Sequence, residues 1–229
     1  MSEPAYLLAI DTCGPTGTVA LGRLSGRAVE ILGQIELEGR SYSATLVAAV
    51  GELLASARIN LGQIHTMVAV NGPGGFTGVR VGLAAVKGLA EAARISVVAV
   101  SRLEVLAAKS DVASAALDAH RREIFLRLGQ SGEQGRELLA GADELTAILP
   151  APFRVAVCDE AAAQLLCSAW PETKLVRVEP PTGADALLLC APRAAAGEFV
   201  DLALLDGHYL RRSDAEIFGE PIAPAVAHP

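Results

Sequence analysis

The segment 71–82, NGPGGFTGVRVG, constrains the fold of this chain more than any other stretch. It follows a continuous apolar run at residues 66–70 and opens a region of helical composition reaching residue 93, so it reads as a strand-to-helix junction. Two physical readings compete for its glycines. They could let backbone N–H groups close around an anion at a helix N-terminus. They could instead permit positive φ and tight packing, with Thr77 capping the helix and Phe76 plugging the core. The pattern is neither G-x-G-x-x-G nor G-x-x-x-x-G-K-[ST], and no lysine follows within the turn, which favours the structural reading.

The helix after the junction is more informative. Val79, Val81, Leu83, Val86, Leu89 and Ala90 leave almost no polar face, and small residues recur at Gly78/Gly82 and at Ala84/Gly88/Ala92. A helix apolar nearly all round is covered on more than one side. Each interior glycine costs roughly 0.5–1 kcal/mol relative to alanine, so a close contact is expected to offset it. The preceding helical stretch, 44–57, is similarly small and apolar. The pair can be core helices under a second domain or a subunit interface. The interface reading selects Leu46, Val50, Leu53, Val79, Gly82, Leu83, Val86 and Ala90, and it predicts that Val86→Glu would prevent pairing while the monomer still folds.

Around this junction the chain alternates strands and helices. Residues 6–10, 18–24 and 28–37 read as three strands of an antiparallel meander, followed by the helix from 44, with Ser43 as its cap. Strands are expected at 66–70 and 96–100, and a helix capped by Ser101 reaches Lys109. A similar rhythm begins again near Val112. Strands are expected at 112–117, 124–128, 154–157 and 174–178, and helices at 160–170 and 184–196, with Pro192 ending or kinking the last one. The chain is therefore expected to be α/β, with mixed sheets flanked by helices in two domains, 1–105 and 106–229, and a loose tail at 220–229.

Composition excludes several classes. With 229 residues, 52% hydrophobic and 20% charged, the chain can bury substantial cores. A formal net charge of -7 and an aromatic content of 4% argue against a protein that binds nucleic acid tightly on its own. The four cysteines form no C-x-x-C pair and read as reduced thiols. No run is long enough for a membrane span, and the first residues have no basic region of a signal peptide, so a cytoplasmic location is expected. His65, His120, His208 and His228 lack metal-ligand spacing, and neither H-E-x-x-H nor G-x-S-x-G occurs.

Several short stretches resemble one known family. They are Ala9-Ile10-Asp11-Thr12, the Gly72–Gly82 motif, Ser101-Arg102-Leu103-Glu104, the stretch from Asp118 to Phe125 (DAHRREIF) and Tyr209-Leu210-Arg211. Together they look like the bacterial TsaB (YeaZ) family. The resemblance implies an actin/Hsp70-like (ASKHA) fold of two RNase H-like domains. It implies a non-catalytic accessory role in forming N6-threonylcarbamoyladenosine at position 37 of ANN-decoding tRNAs. The implied partners are a TsaD-type transferase, which this chain would bind and activate, a TsaE-type ATPase, and tRNA through the complex. The implied pairing surface is the helical face of the first domain. No cofactor is expected on this chain alone, with ATP and metal in the partner subunits. Cys13, Gly75 and His120 depart from the family's usual residues, as does Tyr42.

Two further expectations remain open at this level. Asp11, Thr12 and Arg121 are the candidate nucleotide-proximal residues, because in actin-like ATPases an aspartate ending the first strand helps hold cation and phosphates. Asp11 could equally cap the turn at 12–14 through its own side chain. The alternatives to an accessory subunit are therefore an actin-like ATP-binding enzyme and a homodimeric scaffold using the same helices.

Overall fold

The computed structural model describes residues 5–39, 41–129 and 135–211; the tail expected at 220–229 lies outside them. The chain opens with three strands, β1 (Ala5–Asp11), β2 (Thr16–Ser25) and β3 (Ala28–Glu38), then α1 (Tyr42–Ser56), β4 (Ile64–Val70), α2 (Phe76–Ala93), β5 (Ser96–Val100) and α3 (Arg102–Lys109). Next come β6 (Ser114–Asp118), β7 (Ile124–Leu128), β8 (Arg136–Ala140), α4 (Ala142–Ala147), β9 (Arg154–Val157), α5 (Glu160–Ala169), β10 (Lys174–Arg177) and α6 (Gly183–Ala196). Among the described residues these form two five-stranded sheets, ordered β3-β2-β1-β4-β5 and β10-β9-β6-β7-β8. The two orders are the same topology: an antiparallel meander whose first strand pairs in parallel with a crossover strand. This is the mixed-sheet arrangement implied by the resemblance, and the rhythm restarting near Val112 is the second copy.

Burial follows strand position. β1 and β4 lie inside the first sheet and are almost wholly buried, with Leu7, Leu8, Ala9, Met67 and Val68 at 0% exposure. Edge strand β3 alternates inward and outward residues instead. Helices cover both faces of this sheet. α1 and α2 lie on one, where the Tyr42 ring occupies the space beside Gly17 and Leu53 that beside Gly33. α6 lies on the other, with Leu187 beside Gly22 and the Gly183 N–H donating to Thr18 Oγ1 at 2.7 Å. α6, the last helix among the described residues, thus joins the first core, and Ala186, Leu187 and Cys190 belong to it. Reciprocally, α3 packs on β6, β7 and β9 of the second sheet. A Lys109–Asp185 ion pair of 2.9 Å joins α3 to the start of α6.

Most expected elements form, with informative differences. Pro192 does not end α6, which runs on to Ala196 and stops at Gly197 with φ 74°. α2 begins two residues earlier than expected; its N-cap is Gly75, so Thr77 lies inside the helix. Ser41 rather than Ser43 precedes α1. β8 and α4 were not expected, because Arg136–Ala140 shows no clean alternation, although Gly135 and Gly141 flank it.

The residues chosen for a partner interface require correction. Leu46, Val50, Leu53, Val79, Gly82, Leu83, Val86 and Ala90 are all buried, and the seven apolar side chains among them belong to the chain's own first core. Helical periodicity marks a buried face but not what buries it, and here the first sheet does. Val86, at 1% exposure, would carry a glutamate into that core with no partner for its charge. Val86→Glu should therefore lower unfolding stability by about 4 kcal/mol or abolish folding, measured by urea denaturation, rather than disrupt pairing selectively.

Candidate functional site

Asp11 ends β1, and both of its carboxylate oxygens are engaged. One accepts the Cys13 N–H at 2.8 Å and the other lies 3.1 Å from Arg102 Nε. Both side chains are buried, at 2% and 7% exposure. Burial alone would lower the Arg102 pKa, but the charge of Asp11 beside it leaves it raised. The Arg102 backbone N–H also donates to the Gly72 carbonyl at 2.7 Å, so Arg102 ties the turn after β1 to the start of the glycine segment. Asp11 therefore takes the turn-capping geometry among the two readings of the sequence.

The glycines serve that turn. A Cβ at Gly74 would overlap the Cys13 carbonyl, one at Gly78 the Thr12 carbonyl, and one at Gly82 the Thr12 hydroxyl. The first two turns of α2 thus sit directly on residues 12–13. The Thr12 hydroxyl donates to the Gly78 carbonyl at 2.7 Å, and the Gly75 N–H donates to the Cys13 carbonyl at 2.8 Å. Tyr42 closes the far side, its hydroxyl donating to the Gly14 carbonyl at 2.7 Å, with burial pushing its pKa up to about 12. Burial, then the charge of Asp11, holds the Cys13 thiol well above its usual range.

In front of this packed turn, between the two sheets, lies a cavity of about 890 Å³. Asp11 and Thr12 do not line it; Arg121 does. The structure therefore separates the three candidate nucleotide-proximal residues. Phe76, expected in the core, is 41% exposed at the cavity wall, with Tyr209 at 5.4 Å between ring centroids and the Arg80 guanidinium 3.7 Å over its ring. The opposite wall is the turn after β6. His120, Arg121 and Arg122 there have φ of 60°, 55° and 63°, three consecutive left-handed conformations at non-glycine positions. Such conformations are unfavourable for these residues and persist only when the surroundings fix them. Asp118 does so, accepting the His120 N–H at 2.8 Å, while Arg211 pairs with Glu123 across the turn.

A second polar cluster ties the two halves together beside the cavity. Glu137 on β8 accepts from the Ser101 hydroxyl at 2.6 Å and from Arg127 at 2.9 Å, with His208 Nε2 2.9 Å away. The His208 N–H donates to the Asn71 carbonyl at 2.7 Å. Sequence reasoning missed Glu137, Arg102 and His208 as structural groups. Arg102 had one signal: it is a basic residue in the first turn of a helix, where the dipole disfavours positive charge.

Residues 31–148, about half of the chain, match the family model described as TsaD, tRNA N6-adenosine threonylcarbamoyltransferase. A Haemophilus influenzae tRNA threonylcarbamoyladenosine biosynthesis protein TsaB is 33% identical over 125 residues, 52% of this chain and 51% of that protein. The chain spans about half the length of the curated relatives it matches. Among solved structures, a Pseudomonas aeruginosa protein described as similar to the peptidase YeaZ superimposes with a TM-score of 0.75 and 27% identity, over 90% of this chain and all of that one. Component A of Acidaminococcus fermentans (R)-2-hydroxyglutaryl-CoA dehydratase shares the fold, with a TM-score of 0.52 and 12% identity over 84% of this chain and 99% of that one.

Burial pushes the Glu137 pKa upward, but hydrogen bonds from His208, Ser101 and Arg127 outweigh it and leave it below its usual value of 4.5. A depressed carboxylate adds stability above its unfolded pKa and loses it as pH falls through the folded one. Glu137→Gln should therefore flatten the loss of stability below about pH 4.5 relative to wild type, read from urea midpoints across an acid titration. Removing the arginine of the other pair, as Arg102→Met, should cost about 3–5 kcal/mol, because Asp11 is left buried and uncompensated; thermal or urea unfolding measures it.

Proposed function

The chain belongs to the TsaB (YeaZ) family, and from that premise we propose that it is a non-catalytic subunit which pairs with a TsaD-type transferase and supports threonylcarbamoyl transfer to tRNA adenosine. The observation that carries the reading is a pair of glycines without an internal reason. Gly51 on α1 and Gly88 on α2 are exposed, and a Cβ at either would meet nothing within 4 Å. Each nevertheless sits inside a helix, where glycine is unfavourable by roughly 0.5–1 kcal/mol relative to alanine. A partner backbone lying close against the outer face of the two helices supplies the missing reason.

The surrounding surface fits the same role. α1 and α2 are neighbours, and around the two glycines lie exposed Ala44, Ala48, Ala84 and Ala92, with Val47 at 62% exposure. Small side chains allow helices to approach closely, and a contiguous apolar face in a soluble protein marks a contact surface. This outer face replaces the buried residues first selected for pairing. The accessory role is also supported by the thiols: burial raises Cys158 to about 11 as well as holding Cys13 protonated, so neither is a ready nucleophile. In this reading a TsaE-type ATPase and tRNA engage the pair, in keeping with a net charge of -7 on this chain.

Gly88→Leu tests the surface without disturbing the core. The variant should melt no lower than wild type, since leucine is the better helix former, yet lose at least about tenfold in affinity for the TsaD-type protein of the same genome. Co-purification and light scattering read both species and also reveal any homodimer through this face. Wild-type pairing by the folded variant would place the contact elsewhere.

A further inference from the structure

Both helices of the outer face end in the same three residues, Ala57-Arg58-Ile59 after α1 and Ala93-Arg94-Ile95 at the end of α2. The backbone closes each in the same way. The Ile59 N–H donates to the Leu54 carbonyl at 3.0 Å and the Ile95 N–H to the Ala90 carbonyl at 2.9 Å, five residues back in both. Both isoleucines then pack against the first core. For this closure the residue before the isoleucine must turn left-handed, and Arg58 and Arg94 both have φ of 56°.

α6 and α3 close with the same bond and show what the position prefers. α6 turns at Gly197, where the Glu198 N–H donates to the Arg193 carbonyl at 3.0 Å. α3 turns at Asp111, where the Val112 N–H donates to the Ala107 carbonyl at 3.1 Å. Glycine has no Cβ to clash and aspartate can hydrogen-bond locally, whereas arginine has neither advantage. Attraction to the helix dipole does not call for this position either, since a basic residue in the last turn serves, as Lys109 and Arg193 do. The two arginines also have no use within the chain. Both are exposed, and among the described residues neither makes an ion pair or a side-chain hydrogen bond, although Glu52 and Glu91 are exposed on the same helices. Both lie at the end of the first sheet where β4 and β5 begin, so they share one end of the small-residue face around Gly51 and Gly88.

We propose that Arg58 and Arg94 select the partner of that face electrostatically, by receiving carboxylates of the TsaD-type protein. The inference rests on the pairing reading and deepens it. Small side chains let helices approach closely but do not tell one apolar partner from another, and charges at the edge of a contact do. RNA phosphate is the other anion with suitable chemistry; the continuity of the arginines with an apolar, small-residue face favours a protein.

The double substitution Arg58→Gly with Arg94→Gly tests this without endangering the fold, because glycine is the residue the backbone prefers at both positions. The variant should melt at or above the wild-type temperature. In calorimetry on the full chain it should nevertheless bind the TsaD-type protein of the same genome about tenfold more weakly at low salt. Raising salt from about 50 mM to about 500 mM should weaken the wild type toward the variant, whose own affinity changes less. Arg58→Lys with Arg94→Lys keeps both the charge and the backbone strain, and should keep the wild-type salt dependence. Wild-type affinity and salt dependence in the glycine variant would overturn the proposal while leaving the pairing reading in place. Failure of the wild-type chain to pair at any salt would overturn both. Unchanged pairing with weakened binding of tRNA by the assembled pair would assign the arginines to RNA instead, and the proposal would fall.

Discussion

The ion pair between Asp11 and Arg102 organises everything around it. A carboxylate and a guanidinium at 2% and 7% exposure are stable only if each satisfies the other and their remaining hydrogen-bond partners are met. Meeting them fixes the turn after β1 through Cys13 and the start of α3 through Gly72. Once that turn is fixed, α2 must approach it within backbone contact distance. Gly74, Gly78 and Gly82 are the positions where any side chain would collide. The glycine motif, the orientation of α2 and the outward face of the α1–α2 pair are consequences of one buried charge pair.

The same pair divides the molecule's chemistry. Asp11 and Asp118 occupy equivalent places, each ending the first strand of its sheet and each accepting the N–H of the residue two further on, at 2.8 Å in both. In the first sheet an arginine then seals the carboxylate from the cavity; in the second the aspartate remains at the cavity wall beside an exposed histidine. The repeated topology thus holds two chemically distinct versions of one turn. One has become part of the core and the other remains available to solvent.

The sheet topology was legible in the sequence because strand and helix periods are local properties. The second copy was legible for the same reason, except at β8 and α4, where edge position and short length leave little pattern. Long-range pairing was not legible. Nothing in the spacing links Arg102 to Asp11, 91 residues away, or Glu137 to Ser101 and His208. Periodicity also placed Leu46, Val50, Leu53, Val79, Leu83 and Val86 on apolar faces correctly while leaving open which surface covers them. The more telling signal lay in Gly51 and Gly88, whose positions become informative only when the surrounding space is known to be empty. Phe76 shows the converse: a large aromatic after a glycine run reads as a core plug, yet Arg80 and Tyr209 hold it at a cavity mouth.

The return of α6 to the first sheet also bears on how the chain acquires its structure during synthesis. β1 to β5 emerge from the ribosome early, but the face opposite α1 and α2 stays bare until residues 183–196 follow. The amino-terminal half must therefore wait, partly assembled and with apolar surface open to water, while the whole second sheet is translated. A nascent chain of this design depends on the second sheet forming promptly, since that sheet carries α6 back to close the first.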